Sequence, residues 1–197
     1  MALVFITGPV RSGKSAFAVR LARESALDVT YVATAAAAPE DAEWRARLAR
    51  HTRERPESWR TVETESLSRG AQLELLRGAQ ASQCLLVDAL GTWLAARIAE
   101  RIDLLEVDYV VLEEHLDREA AEFVDAMLAS RALVLAVGEQ VGWDVVPVVA
   151  SARLFRDVMG RMGQRLARRA ERAYLVVAGY ALDLRAHGIA VAPLERA

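Results

Sequence analysis

The segment "GPVRSGKS" at residues 8–15 constrains what this chain can fold into more than any other feature. It follows the apolar run Leu3–Thr7 and precedes a helical pattern over Lys14–Ser25. The segment matches G-x-x-x-x-G-K-[ST], in which glycines let successive backbone N–H groups converge on a phosphate group. A buried strand, this loop and a helix in that order predict a P-loop fold that binds a nucleoside triphosphate.

Each part of the loop has a predicted role at the polyphosphate. Lys14 brings a positive charge to the β- and γ-phosphates, and the Ser15 hydroxyl is a ligand for Mg²⁺. Gly-Lys-Ser also occurs in ordinary turns, but the flanking strand and helix disfavour that interpretation. The predicted nucleotide-binding residues of the loop are Gly8, Pro9, Val10, Arg11, Ser12, Gly13, Lys14 and Ser15.

Short apolar runs alternate with longer amphipathic stretches along the rest of the chain. The predicted buried strands are Leu3–Thr7, Val29–Ala33, Cys84–Ala89, Ala132–Val137 and Ala173–Ala178, and Trp59–Thr64 is a weaker candidate. The predicted helices are Lys14–Ser25, Pro39–Thr52, Ser66–Arg77, Thr92–Arg101, Tyr109–Ser130 and Ser151–Arg172. This alternation predicts an α/β fold, with a mostly parallel sheet covered by helices on both faces. We expect one domain over residues 1–197, with a short tail from about 181 that forms an edge strand or hairpin.

Charge and composition narrow the setting in which such a domain works. The chain has 25 basic and 27 acidic residues, so its near balance gives no electrostatic case for a nucleic-acid partner. No apolar run is long enough to cross a bilayer, and the amino terminus lacks a cationic leader. The only cysteine, Cys84, excludes an intramolecular disulfide. A cytoplasmic enzyme is therefore expected.

An acidic residue stands where a P-loop site needs one. In "CLLVDA", Asp88 follows a buried run, and a carboxylate at the carboxyl end of a parallel strand faces the ligand crevice. Asp88 can hold Mg²⁺ or accept a proton from an attacking hydroxyl group. The alternative is that Asp88 is the N-cap of the helix predicted to begin near Thr92. The loop favours the metal-side role, because a bound nucleotide requires such a group.

His51 lies among arginines at the end of a predicted helix, in "RARLARHTRERPESWRTVE". A surface histidine at a helix end is favoured by the helix dipole and needs no function. A histidine beside phosphates can instead attack a phosphorus atom and carry the transferred group covalently. Residue spacing alone does not decide between the two. His115 and His187 are expected to face solvent, as are the arginines of Ser151–Arg172.

Six segments occur in one order along the chain: "GPVRSGKS", "YVAT", "RLARHTRERPESWRTVE", "LLVDAL", "EQVGWDVVP" and "LFRDVMGRMGQRLA". Together they resemble the bifunctional adenosylcobinamide kinase / adenosylcobinamide-phosphate guanylyltransferase family of cobalamin biosynthesis, over about residues 3 to 180. The most specific segment is the H-x-x-x-R-P-x-x-W-x-T-x-E run from His51 to Glu63. The resemblance implies a P-loop, RecA-like fold and a homotrimer.

The resemblance also implies two activities and a set of site residues. The expected reactions are phosphorylation of adenosylcobinamide by ATP or GTP, and transfer of GMP from GTP to adenosylcobinamide phosphate. In the family, the histidine that matches His51 forms a guanylyl-histidine intermediate. The expected catalytic residues are His51, Lys14 and Asp88, with Mg²⁺ at Ser15 and Asp88. Further expected nucleotide-binding residues are Ala33, Thr34, Ala35, Thr52, Arg53, Glu54, Arg55 and Glu63.

The second half of the chain departs from the family pattern at Gly138, Val148 and Gly163, where polar residues usually stand. These departures keep two alternatives open. One is a P-loop kinase that phosphorylates another small alcohol, with a structural His51. The other is a nucleotide-binding protein without transfer activity.

Overall fold

The computed structural model describes residues 2–35, 56–104 and 108–191. The strands are β1 (Ala2–Gly8), β2 (Asp28–Ala33), β3 (Arg60–Glu63), β4 (Gln83–Asp88), β5 (Leu133–Glu139), β6 (Arg172–Val177) and β7 (Tyr180–Asp183). The helices are α1 (Lys14–Glu24), α2 (Arg69–Gly78), α3 (Leu90–Ala99), α4 (Tyr109–Leu128), α5 (Ala150–Arg169) and α6 (Leu184–His187). Short 3₁₀ turns cover Thr64–Ser66 and Ile102–Leu104.

These strands form one sheet in the order β3-β2-β4-β5-β1-β6-β7. All neighbours are parallel except β6 and β7, which form an antiparallel hairpin. The mostly parallel α/β sheet is therefore confirmed. Because β5 lies between β1 and β4, the strand before the glycine loop and the strand that carries Asp88 are not adjacent.

Two hydrophobic clusters cover opposite faces of this sheet. Successive residues of β1 alternate between them, so Leu3 and Phe5 belong to one cluster and Val4 and Ile6 to the other. The first cluster packs against α2, α3, α4 and α5, and the second packs against α1. Helices thus cover both faces, as the alternating pattern predicts.

The ring of Phe5 faces two glycines that depart from the family pattern. A Cβ atom at Gly138 would lie 3.0 Å from Phe5 Cε2 and 3.2 Å from Met159 Cε. A Cβ atom at Gly163, on α5, would lie 3.7 Å from Phe5 Cζ. Gly138 therefore leaves room for the aromatic ring, whereas a Cβ atom at Gly163 would make only an ordinary contact with it, and both glycines face the Phe5 ring.

Several predicted boundaries are wrong by a few residues. Helix α3 begins at Leu90 and not near Thr92, and α5 ends at Arg169 and not at Arg172, where β6 begins. The weak candidate strand is a real edge strand, β3, paired in parallel with β2. The predicted helix Pro39–Thr52 lies outside the described residues.

Several arginines of α5 bind to side chains or backbone of α4, so they do not form a purely solvated face. Arg161 lies 2.7 Å from Glu113 Oε1 and 2.7 Å from Asp117 Oδ2, so it joins α5 to α4. The side chain of His115 is 39% exposed, and its Nε2 also lies 3.3 Å from Oε1 of the buried Glu119. Within the described parts of the chain, no helix is both long and apolar enough to cross a membrane.

Candidate active site

The glycine loop, defined as residues 8–15, joins the end of β1 to the start of α1. Its turn closes through a hydrogen bond from the Ser12 amide to the Pro9 carbonyl oxygen, at 3.3 Å. Gly13 has a φ of 97°, in the left-handed region that a side chain disfavours, and it is the N-cap of α1. Since glycine has no side chain to cap the helix, the first N–H groups of α1 are available to an anion.

Lys14 lies over this loop. Its Nζ donates a hydrogen bond to the Pro9 carbonyl oxygen at 3.3 Å, which holds the charge above the turn. The ammonium group and the helix amides therefore act on the same space, as a polyphosphate site requires.

The hairpin between β6 and β7 supports the loop from the other side. The Gly179 amide donates to the Ser12 carbonyl oxygen at 2.9 Å. A Cβ atom at Gly8 would lie 2.3 Å from the Val176 carbonyl oxygen, so only glycine fits between the loop and β6. The sequence predicted an edge strand or hairpin in this region and gave no sign that it contacts the loop.

Asp88 meets the loop at the carboxyl end of β4. Ser15 Oγ donates to Asp88 Oδ1 at 3.2 Å, and the Tyr31 hydroxyl donates to Asp88 Oδ2 at 2.7 Å. The N-cap alternative for Asp88 is wrong, because Ala89 is the N-cap of α3. The predicted pair of Ser15 and Asp88 is thus brought together, with Tyr31 as a partner that sequence reasoning missed.

The ends of β2 and β3 continue this edge of the sheet. Ala33 is level with Asp88 on one side and with Glu63 on the other. Thr34 is buried, and its hydroxyl lies 2.7 Å from Thr92 Oγ1 and donates to the Ala89 carbonyl oxygen. The side chain of Thr34 is therefore used inside the protein, whereas Glu63 is exposed at the rim.

Glu139 completes the acidic part of the site and was missed as a site residue. It ends β5, level with Gly8 in the register, and its Oε2 accepts a hydrogen bond from the Gly91 amide at 2.8 Å. Burial raises the pKa of the Glu139 carboxyl, the positive charge of Lys14 opposes this, and the charge of Asp88 adds to it. Two signals in the sequence pointed to it: its place just after the predicted strand Ala132–Val137, and its position at the start of the segment "EQVGWDVVP".

Other predicted residues lie beyond what the structure describes. They are the proposed nucleophile His51 and the four residues after it, Thr52, Arg53, Glu54 and Arg55. Their roles stay predictions. Ala35, the last described residue of its segment, follows Thr34 at the same edge of the sheet.

The oxygen atoms at this edge fit a hard divalent cation. The hydroxyl of Ser15 and the carboxylate of Asp88 lie 3.2 Å apart, and Mg²⁺ binds to a few protein oxygens while it keeps several waters and phosphate oxygens. The donor set therefore suits Mg²⁺ held together with a polyphosphate.

The chain matches the family described as cobinamide kinase / cobinamide phosphate guanyltransferase over residues 4–184. It is 38% identical, over 180 residues, to the bifunctional adenosylcobalamin biosynthesis protein CobP of Pseudomonas aeruginosa. This match covers 91% of this chain and 95% of the relative. Proteins named bifunctional adenosylcobalamin biosynthesis protein CobU are 33% identical in Escherichia coli and 32% identical in Salmonella typhimurium. Each of these two matches covers 93% of this chain and 99% of the relative.

Proposed function

This chain belongs to the cobinamide kinase / cobinamide phosphate guanyltransferase family, and we propose that it carries out both reactions in cobalamin biosynthesis. In the first reaction, a hydroxyl group of adenosylcobinamide takes the γ-phosphoryl group of ATP or GTP. In the second, GMP passes from GTP to adenosylcobinamide phosphate, which gives adenosylcobinamide-GDP.

One contact carries this proposal on the structural side. Ser15 and Asp88 are 73 residues apart in the chain, yet Ser15 Oγ donates to Asp88 Oδ1 directly beside the glycine loop. A hydroxyl group and a carboxylate at the mouth of such a loop are what a metal-bound triphosphate needs. This contact favours a loop that works in phosphoryl transfer, and it disfavours a loop that only matches the sequence motif by chance.

In the kinase step, the loop acts mainly by stabilising negative charge on the nucleotide phosphates. The N–H groups of the loop and the ammonium group of Lys14 stabilise the negative charge that develops on the β- and γ-phosphates. Ser15 and Asp88 would hold Mg²⁺, which neutralises part of the same charge when it is bound. Because hydrogen bonds already hold these groups in place, their stabilisation of charge should cost little reorganisation.

In the guanylyl transfer step, His51 is the proposed nucleophile. One imidazole nitrogen attacks the α-phosphorus of GTP, the bond to the β-phosphate oxygen breaks, and pyrophosphate leaves. A phosphate oxygen of adenosylcobinamide phosphate then attacks the same phosphorus and releases the imidazole. Support for this role comes from the run between His51 and Glu63 and from the match over residues 4–184.

We also propose that the enzyme is a cytoplasmic homotrimer, as the resemblance implies. Five apolar side chains in the segment before α5 are 60–94% exposed, which supports burial against another subunit. They are Trp143, Val145, Val146, Val148 and Val149. Light scattering on a size-exclusion column should give three times the chain mass of 21.6 kDa, and a monomer would refute the trimer.

Intact mass spectrometry after incubation with GTP and Mg²⁺ tests the central proposal. The protein should gain one GMP, and acid should remove it, because a phosphoramidate bond is acid-labile. His51→Ala should gain no GMP. The control His187→Ala should gain one GMP like the parent, because His187 is an exposed residue of α6.

Two results would redirect the assignment. An adduct on His51→Ala would place the nucleophile elsewhere. No adduct on the parent, combined with tight GTP binding, would favour the plain kinase if phosphoryl transfer is seen. It would favour the inactive nucleotide-binding protein if no transfer is seen.

A further inference from the structure

Glu139 is a charged group at the site for which the proposed function has no role. We propose that its carboxylate accepts the proton of the attacking hydroxyl group in the kinase step. This inference rests on the proposed function, and it assigns a further catalytic residue to the first of the two reactions.

The strand order places Glu139 between the two halves of the site. Strand β5 lies between β1 and β4, and Glu139 is level with Gly8, where the glycine loop begins. Asp88 is level with Val137, two residues earlier on β5. At about 3.3 Å per residue, Glu139 extends roughly 6.6 Å farther toward the ligand side than Asp88 does.

The contacts of the two carboxylates differ. Both oxygens of Asp88 accept hydrogen bonds from hydroxyl groups, Oδ1 from Ser15 and Oδ2 from Tyr31, so Asp88 is engaged on the metal side. A carboxylate bound to a cation is a poor base, because the cation stabilises its charge. Glu139 accepts no side-chain hydroxyl group in the described structure and meets backbone amides instead.

The position of the Glu139 carboxylate is built into the fold. The Gly91 amide, in the first turn of α3, donates to Oε2 at 2.8 Å. A Cβ atom at residue 91 would lie 2.1 Å from this oxygen and 2.6 Å from Cδ of Glu139. Only glycine therefore allows the carboxylate to approach the helix end, and the contact fixes the side chain beside the loop.

The surroundings of Glu139 raise the affinity of its carboxylate for a proton. Burial is the largest cause of its raised pKa, and the negative charge of Asp88 acts in the same direction. The charge of Lys14 and the Gly91 amide lower the pKa in part. A carboxylate with a raised pKa holds a transferred proton better than an ordinary one does, as a general base requires.

The proposed step balances in atoms and electrons. The substrate oxygen attacks the γ-phosphorus, its O–H bond breaks, and the proton passes to a carboxylate oxygen of Glu139. The bond between the γ-phosphorus and the β,γ-bridging oxygen breaks, and the nucleoside diphosphate leaves. The carboxyl group returns its proton to water after the products depart. His51 needs no such base, because a neutral imidazole nitrogen attacks with its own lone pair.

The test compares the two reactions in Glu139→Gln and in Glu171→Gln, a control just before β6, at the amino-terminal end of the parallel strands and away from the site. We expect Glu139→Gln to phosphorylate adenosylcobinamide about a hundredfold more slowly or worse. GTP affinity and the rate of GMP adduct formation should stay within about twofold of the parent, a change worth only about 0.4 kcal/mol. The parent kinase rate should fall at acid pH with an apparent pKa above that of an ordinary glutamate, and the variant should lack this fall.

Each other outcome has a defined meaning. Kinase activity retained in Glu139→Gln overturns the inference, and so does a parallel loss of GTP binding or adduct formation, which would assign the carboxylate to nucleotide or metal. If the variant does not fold, the pH profile of the parent decides, and a profile without the acid limb overturns the inference. A parent that forms the adduct but phosphorylates no cobinamide refutes the kinase half of the proposed function, and the inference falls with it.

Discussion

The glycine loop and the acidic edge, which we define as Tyr31, Asp88 and Glu139 with their partners, form two halves of one site in opposite ways. Hydrogen bonds within the loop join residues three to five positions apart, such as Ser12 to Pro9 and Lys14 to Pro9, and the bond from the Gly179 amide supports the loop from outside. Bonds that shape the acidic edge join residues 48 to 73 positions apart. The turn of the loop is closed by local bonds and gains only support from the β6–β7 hairpin, whereas the acidic edge is brought together only when the sheet is complete.

This difference has consequences for mutation. Under the proposed function, the loop binds the phosphates that both reactions use, so damage to it should affect every activity together. The acidic edge consists of separate side chains with separate partners, so damage there should affect one property at a time. Three changes test this contrast, in order of decreasing expected effect.

Lys14→Ala should have the largest effect. Removal of the ammonium group over the loop should slow both kinase and GMP adduct formation by about a thousandfold, the upper range for loss of one electrostatic donor. The check is a rate measurement for each reaction, with the circular dichroism spectrum as a test of folding. Unequal losses, with one reaction spared, would show that the two reactions do not share the loop.

Lys14 is also the only lysine in the chain. An amine-directed reagent can therefore modify only Lys14 and the terminal amino group, and bound GTP should protect Lys14. Peptide mass spectrometry with and without GTP gives an independent reading of the same contact.

Gly8→Ala should have an intermediate effect, mainly on stability. The added Cβ would lie 2.3 Å from the carbonyl oxygen of Val176, and backbone cannot yield as a side chain can. Overpacking of this kind costs about 1–3 kcal/mol of unfolding free energy, measurable by urea titration. The control is Gly160→Ala in α5, where nothing lies within 4 Å and stability should rise. Equal stability of the two variants would contradict the close contact between loop and β6.

Tyr31→Phe should have the smallest and most selective effect. It removes the hydroxyl group that donates to Asp88 Oδ2 at 2.7 Å and leaves the buried ring in place. Loss of a hydrogen bond worth about 0.5–1.5 kcal/mol should raise the Mg²⁺ concentration needed for half-maximal rate about two- to twelvefold. Tyr180→Phe, at an exposed position on β7, should change nothing. A loss of GTP binding at saturating Mg²⁺ would contradict the assigned role.

The same contrast explains how much could be predicted from the sequence. The loop, the strand that ends at Asp88 and the alternation of strands and helices are local patterns, and the structure confirms them. The helix ends near Leu90 and Arg169 were missed by a few residues, because caps without a side-chain signal leave no mark in the sequence.

Tyr31, Gly91 and Glu139 could not be predicted as site residues for a physical reason. Each belongs to a pattern that also describes ordinary core packing, such as a tyrosine in a buried strand or a glycine near a helix start. Their roles follow from the strand order, which places β5 between β1 and β4. Strand order depends on long-range pairing and is not written in the spacing of residues.

The position of β1 in the sheet also bears on the order of events during synthesis. Although β1 is made first, its sheet neighbours begin at residues 133 and 172, and the amide that supports the glycine loop belongs to Gly179. A nascent chain therefore holds its nucleotide motif before it has the strands that shape it. We therefore expect competence to bind GTP to arise late in translation, once β6 has joined the sheet.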